Sequence, residues 1–85
     1  MPSLKFAATA WDDYLHWQSS DKKTLRRINE LIRACLRTPS EGIGKPEPLK
    51  GNLASWWSRR INEVDRMVYK MDGETLLIAQ LRYHY

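Results

Sequence analysis

Between Leu25 and Leu36 the apolar side chains recur at three- and four-residue steps: Leu25, Ile28, Leu31, Ile32, Cys35 and Leu36. On a helix with 3.6 residues per turn they form one stripe about three turns long, and such a stripe must be buried. Ser20-Asp21 breaks the chain ahead of it and offers a cap. Thr38-Pro39 ends it, because a proline drives the residue before it out of the helical region. The chain has 85 residues, room for one domain spanning 1–85 and one core. The cover for the stripe must therefore come from the short segments on either side. A chain of this size buries only about 60% of the surface its unfolded form exposes, a margin that a partner or a dimer interface would widen.

Those segments read as a strand, a helix and a meander. Leu4 to Phe6 is a short opening strand. Thr9 offers an N-cap to a first helix over about Ala10 to Gln18, with Trp11, Tyr14, Leu15 and Gln18 at helical spacing. Thr38 to Asn52 holds three of the four prolines and three of the four glycines, which reads as a long ordered loop. Trp56 to Ile61, Arg66 to Met71 and Leu76 to Tyr83 then alternate as strands, the last two joined by the Asp72-Gly73 hairpin signal. The expected fold class is α+β, in the order β-α-α-β-β-β, with two helices on one face of a small, mainly antiparallel sheet.

Composition narrows the function. Lys and Arg number 14 against 10 Asp and Glu, a formal net charge of +4, which favours a polyanionic partner. The second helix concentrates it: Lys22, Lys23, Arg26, Arg27, Arg33 and Arg37 stand against Glu30 alone. Nine aromatics, four of them Trp, argue against disorder, and most of the Trp are expected in the core. A single cysteine excludes an internal disulfide and suits a reducing cytoplasm. There is no apolar run of about 18 residues to span a membrane and no signal-peptide pattern at the start. His16, His84 and Cys35 have no metal-ligand spacing, and Gly42-Ile43-Gly44-Lys45 lacks the Walker pattern, so neither a metal nor a cofactor is expected. Cys35 reads as a small core hydrophobe and His16 as a rim residue.

Three groups remain as candidate chemistry. Glu47, in Lys45-Pro46-Glu47-Pro48, reads first as an exposed carboxylate in a rigid turn. The flanking prolines also confine it to extended conformations, as a preorganised general base requires, with Lys45 and Lys50 near for a phosphate. His84 and Tyr85 end the chain after an apolar strand that would pin them. Arg82 and His84 would share one face if that strand ran so far, and His84 has the side chain suited to acid–base work near neutrality. Arg59 and Arg60 must point to opposite faces of their strand. Together with Arg66 they read either as phosphate-binding groups or as a solvated face paired with Glu63 or Asp65.

The stretch RTPSEGIGKPEPLKGNL from Arg37 to Leu53, then WSRRI from Trp57 to Ile61, Asp65-Arg66-Met67-Val68-Tyr69, and the closing Arg82-Tyr83-His84-Tyr85 resemble the YoeB toxins of the RelE superfamily. Trp11-Asp12-Asp13-Tyr14 and Ile28-Asn29-Glu30-Leu31-Ile32 extend the resemblance to nearly the whole chain. Ser40, where the family has a bulky aromatic, and Ile43, where lysine is common, depart from it. The resemblance implies a RelE-like fold and a cytoplasmic bacterial toxin. It also implies metal-independent cleavage of mRNA in the A site of the 70S ribosome, a YefM-type antitoxin partner, and a toxin homodimer. By position it implies Glu47 as general base, His84 as general acid, Arg66 as the group that neutralises the transition-state phosphate, Tyr85 assisting, and Lys50 and Arg60 as supporting phosphate-binding residues. The alternatives are a non-catalytic inhibitor that occupies ribosome or RNA, and a toxin that cuts free RNA.

Overall fold

The computed structural model describes residues 2–83. Its elements are β1 (Ser3–Phe6), α1 (Ala8–Ser20), α2 (Lys22–Arg37), β2 (Glu47–Pro48), a 3-10 turn (Gly51–Leu53), β3 (Trp57–Arg60), β4 (Arg66–Asp72) and β5 (Thr75–Gln80). The five strands form one sheet in the order β1-β5-β4-β3-β2. β1 runs parallel to β5, and the other neighbours are antiparallel. This is the expected α+β architecture with one strand more than the expected order. Glu47–Pro48 pairs with β3, so the loop after α2 carries a short edge strand of its own.

The stripe on α2 does what its spacing requires. Ile28, Leu31, Ile32 and Cys35 are buried against Met67, Tyr69, Leu76 and Ile78 of the sheet. Asp21 caps the helix, its carboxylate accepting from the Thr24 N–H at 3.1 Å and the Thr24 hydroxyl at 2.7 Å. Those bonds hold the Asp21 carboxyl below its ordinary range.

α1 differs from expectation in two ways. It starts at Ala8, with Ala7 rather than Thr9 at the N-cap and no side chain capping it. The Ala7 N–H is still held by the Ile78 carbonyl at 2.9 Å, so the helix begins directly where the chain leaves the sheet. Its inward face is also not the one the apolar residues suggest. Trp11 and Leu15 are exposed, at 48% and 40%, whereas Ala10 and Asp13 are buried. Tyr14 and Trp17, partly buried, complete that face. A carboxylate turns inward because it has a partner: Asp13 Oδ2 accepts from the Leu81 N–H at 2.9 Å. The same bond helps explain why β5 stops at Gln80 instead of running to Tyr83, since the Leu81 amide is committed to a side chain and not to a strand. Nor are the Trp mainly core. Trp11 is exposed and Trp17, Trp56 and Trp57 are partly buried, placing indole rings around the rim.

Two glycines set the geometry on which the rest depends. Gly73, at φ +62°, opens the two-residue loop between Asp72 and Thr75, as tight hairpins require. Gly44, at φ +83°, lies where an added Cβ would stand 2.7 Å from Leu31 Cδ2 and 3.1 Å from Arg59 Cβ. Its carbonyl accepts the Arg60 N–H at 2.7 Å. Gly44→Ala is therefore expected to lower stability by about 2–4 kcal/mol, combining left-handed backbone strain with overpacking. A urea titration would show this as a lower midpoint at unchanged slope.

Candidate active site on the sheet face away from the helices

Strand pleating divides the sheet residues cleanly. Trp57, Arg59, Met67, Tyr69, Leu76 and Ile78 face the helices and the core. Register places Glu47 opposite Ser58, Ser58 opposite Val68, and Arg60 opposite Arg66. Val68 pairs with Gln80 across the irregularity in β4. Glu47, Arg60, Arg66 and Gln80 thus share the second face, and Ser58 and Val68 are buried between them. Lys50, just beyond β2, lines one groove of about 360 Å³ together with Glu47, Pro48, Leu49 and Leu53.

Spacing on this face favours a ligand over internal pairing. Strands lie about 4.8 Å apart and residues advance about 3.4 Å along them, so the Cα atoms of Glu47 and Arg66 are separated by roughly 12 Å. Among the described residues no ion pair joins the two side chains, and the separation leaves room for a sugar–phosphate unit between them. Arg60 and Arg66, by contrast, are direct cross-strand partners of like charge, an arrangement that costs stability. The carboxylates considered as partners for these arginines do not relieve it. Arg66 Nη1 donates to the carbonyls of Asn62 at 2.7 Å and Asp65 at 3.1 Å, not to a carboxylate. Among the described residues its other guanidinium nitrogens have no partner. Two guanidinium groups held side by side, one of them fixed by its own turn, form a receptor for a phosphate oxyanion.

Arg59 occupies the opposite face and has a different task. It is fully buried. Nη2 donates to the carbonyls of Thr38 at 2.6 Å and Glu41 at 2.9 Å, Nη1 donates to Ile43 O at 3.1 Å, and Nε donates to Tyr69 Oη at 3.1 Å. Tyr69 in turn donates to Pro39 O at 2.6 Å. The buried guanidinium is the centre on which the loop after α2 is wound, and that loop delivers β2 and Glu47 to the sheet edge. Burial pushes the Tyr69 phenol up to about 12, with Arg59 pulling against it, so the hydroxyl stays a neutral donor. Burial likewise raises the Cys35 thiol, in keeping with a core position. The sequence showed that Arg59 and Arg60 oppose each other. Which of them faces the open side follows from the loop carbonyls that only Arg59 can reach.

The segment from Leu81 to Tyr83 is irregular yet closely held. Trp17 Nε1 donates to Leu81 O at 2.8 Å, and Gln80 Nε2 donates to Arg82 O at 2.9 Å. Asp65 Oδ1 accepts from the Tyr83 N–H at 2.7 Å, and the Arg66 N–H donates to Tyr83 O at 3.1 Å. His84 and Tyr85, expected to supply the acid and its assistant, lie outside the described residues. Asp13, Trp17 and Asp65 carry no signal of this role in the sequence, because each acts on a backbone group distant in the chain. Among the described residues no three His, Cys, Asp or Glu side chains converge as a metal-ligand set, and no helix is long and apolar enough to cross a membrane.

Residues 6–85 match the family model described as the YoeB-like toxin of bacterial type II toxin–antitoxin systems. The toxin YoeB of Escherichia coli (strain K12) is 56% identical over 82 residues, covering 96% of this chain and 98% of that protein. The YoeB/ParE toxin from Agrobacterium tumefaciens superposes with a TM-score of 0.93 at 47% identity, over 98% of this chain and 99% of its own. YoeB of Staphylococcus aureus, solved in a heterotetrameric complex with YefM, gives 0.91 at 44% identity, covering 100% of this chain and 99% of the solved one. A YoeB dimer from S. aureus gives a TM-score of 0.92 at 45% identity over 99% and 98% of the two chains.

Proposed function

The chain belongs to the YoeB-like toxins of bacterial type II toxin–antitoxin systems, and from that premise we propose that it is a metal-independent endoribonuclease acting on mRNA in the ribosomal A site. The observation that carries the reading is the placement of Glu47, Arg60 and Arg66 on one sheet face, with the two arginines directly opposed. Glu47 takes the proton of a ribose 2′-hydroxyl, and the resulting oxygen attacks the adjacent phosphorus in line. Arg66 neutralises the charge that gathers on the phosphate oxygens, supported by Arg60 and Lys50. His84 protonates the departing 5′-oxygen, assisted by Tyr85, leaving a 2′,3′-cyclic phosphate and a 5′-hydroxyl.

This site is an exposed face and not a deep pocket: Glu47, Lys50 and Arg60 are all exposed. Such a surface holds its acid, base and cations in place but does little to hold a flexible RNA in the in-line geometry. Orientation of the reacting groups can be worth roughly 7–11 kcal/mol, and a ribosome presenting a codon supplies it. The toxin therefore works in the bacterial cytoplasm with the 70S ribosome and mRNA as its substrate assembly. Like its S. aureus relative it pairs with a YefM-type antitoxin and with a second copy of itself. Incubation of one 5′-labelled transcript, alone or in a programmed 70S complex, tests the setting. Cleavage is expected in the complex and only weak on the naked transcript. Equal cutting of both would move the protein to the class of nucleases acting on free RNA.

A further inference from the structure

We propose that Asp13 and Asp65, together with Trp17, are positioning residues for the general acid, acting through the backbone of Leu81 to Tyr83 that they hold. This rests on the reading of His84 as the general acid. Five backbone groups between Leu81 and Tyr83 are held: the N–H of Leu81 and Tyr83 by the two carboxylates, and the carbonyls of Leu81, Arg82 and Tyr83 by Trp17, Gln80 and the Arg66 amide. The partners come from four separate elements, α1, the β3–β4 turn, β4 and β5. The segment is therefore fixed relative to the whole sheet and not to one neighbour.

The chemistry of the clamp is specific. A carboxylate accepting a backbone N–H makes a short, charge-assisted bond, about twice as strong as a neutral one. Asp13 does so while only 8% exposed. A carboxylate is not buried there for packing, since a leucine would pack better and cost less. Asp65 is fixed in turn by Asn62, whose Nδ2 donates to Asp65 Oδ2 at 3.0 Å. Tyr83 sits at φ +65°, a left-handed conformation that is unfavourable for a residue with a Cβ. The turn at Tyr83 redirects the chain, and the clamp on both sides of its peptide offsets that cost. The Tyr83 carbonyl, bonded to the Arg66 amide, belongs to the peptide unit that leads into His84.

Single-turnover cleavage of ribosome-bound mRNA, measured across toxin concentrations, tests the clamp with Asp65→Ala, Asp65→Asn, His84→Ala and the double variant Asp65→Ala/His84→Ala. Asp65→Ala is expected to lower the maximal rate roughly 10–100-fold, as misplacement of a catalytic group by about an ångström does, with the half-saturating concentration unchanged. Asp65→Asn, whose amide oxygen still accepts the Tyr83 N–H, is expected to recover most of the rate. In the double variant the loss should equal that of His84→Ala alone, since a residue acting through His84 has nothing left to position. A purely structural role for Asp65 would instead add its loss to that of His84→Ala, which overturns the proposal. Wild-type rate in Asp65→Ala while His84→Ala is inactive overturns the clamp and leaves the acid assignment standing. Wild-type rate in His84→Ala overturns both. Should Asp65→Ala not fold, Trp17→Phe gives the same test, because it keeps an aromatic ring while deleting the bond to the Leu81 carbonyl.

Discussion

Glu47→Gln is expected to slow mRNA cleavage on the ribosome by roughly 10²–10⁴-fold, the contribution of a positioned general base. The change is nearly isosteric and removes only the basicity. Glu47 is exposed and holds its place through its backbone, paired with Ser58 and fixed between Pro46 and Pro48. Nothing in the fold rests on its side chain, so thermal stability should remain within about 0.5 kcal/mol of wild type. Binding to the ribosome and to the antitoxin should change little. The informative quantity is the rate at saturating ribosome concentration, which isolates chemistry from binding. A Glu47→Gln protein that cuts at the wild-type rate would return Glu47 to an exposed turn carboxylate and move the base elsewhere.

Arg66→Ala is expected to cost roughly 10²–10³-fold in the same assay, comparable to the loss of one preorganised donor from an oxyanion site. Arg66→Lys should recover little of it. Lysine keeps the charge but not the planar fork, which here binds the carbonyls of Asn62 and Asp65 through one nitrogen while presenting the others. Arg60 supplies a complementary check on the argument from like charge. Arg60→Gln should lower activity less, since Arg60 supports the phosphate from the neighbouring strand. It should also raise stability by about 0.2–1 kcal/mol, the scale of one cross-strand repulsion. Gain of stability with loss of activity is the signature of a charge kept for function. If both arginine variants lose stability and keep activity, the pair serves the fold and the phosphate site lies elsewhere.

The parts of this molecule that were legible in the sequence are those governed by local periodicity. The α2 stripe, its Asp21 cap and the break at Thr38-Pro39 follow from three- and four-residue spacing and from backbone restrictions that act within a few residues. Period-two alternation likewise required Arg59 and Arg60 to diverge. Features set by contacts across the chain were not legible. A two-residue strand at Glu47–Pro48 is too short to show a pattern, and its register with Ser58 alone decides which face the carboxylate takes. The inward face of α1 is not legible from its apolar spacing, because Asp13, a polar residue, is drawn inward by an amide 68 positions away, while Trp11 and Leu15 stay outside. The end of β5 was placed too late for the same reason. Glu47, Lys50, Arg60 and Arg66 are candidates on residue chemistry alone, while the role of each is what the motif resemblance implies. The register of the sheet puts Glu47, Arg60 and Arg66 on one face, and Lys50 joins Glu47 in the same groove.

Acid–base cleavage of mRNA on the ribosome is what separates an enzyme at this surface from an inhibitor bound there. Primer extension on an mRNA undergoing cell-free translation, comparing the wild-type protein with His84→Ala, distinguishes the two. Wild-type cuts are expected within A-site codons, with their loss by orders of magnitude in the variant. Translation arrest on intact mRNA, equal in both proteins, would contradict it and make the protein an inhibitor that acts by occupancy alone.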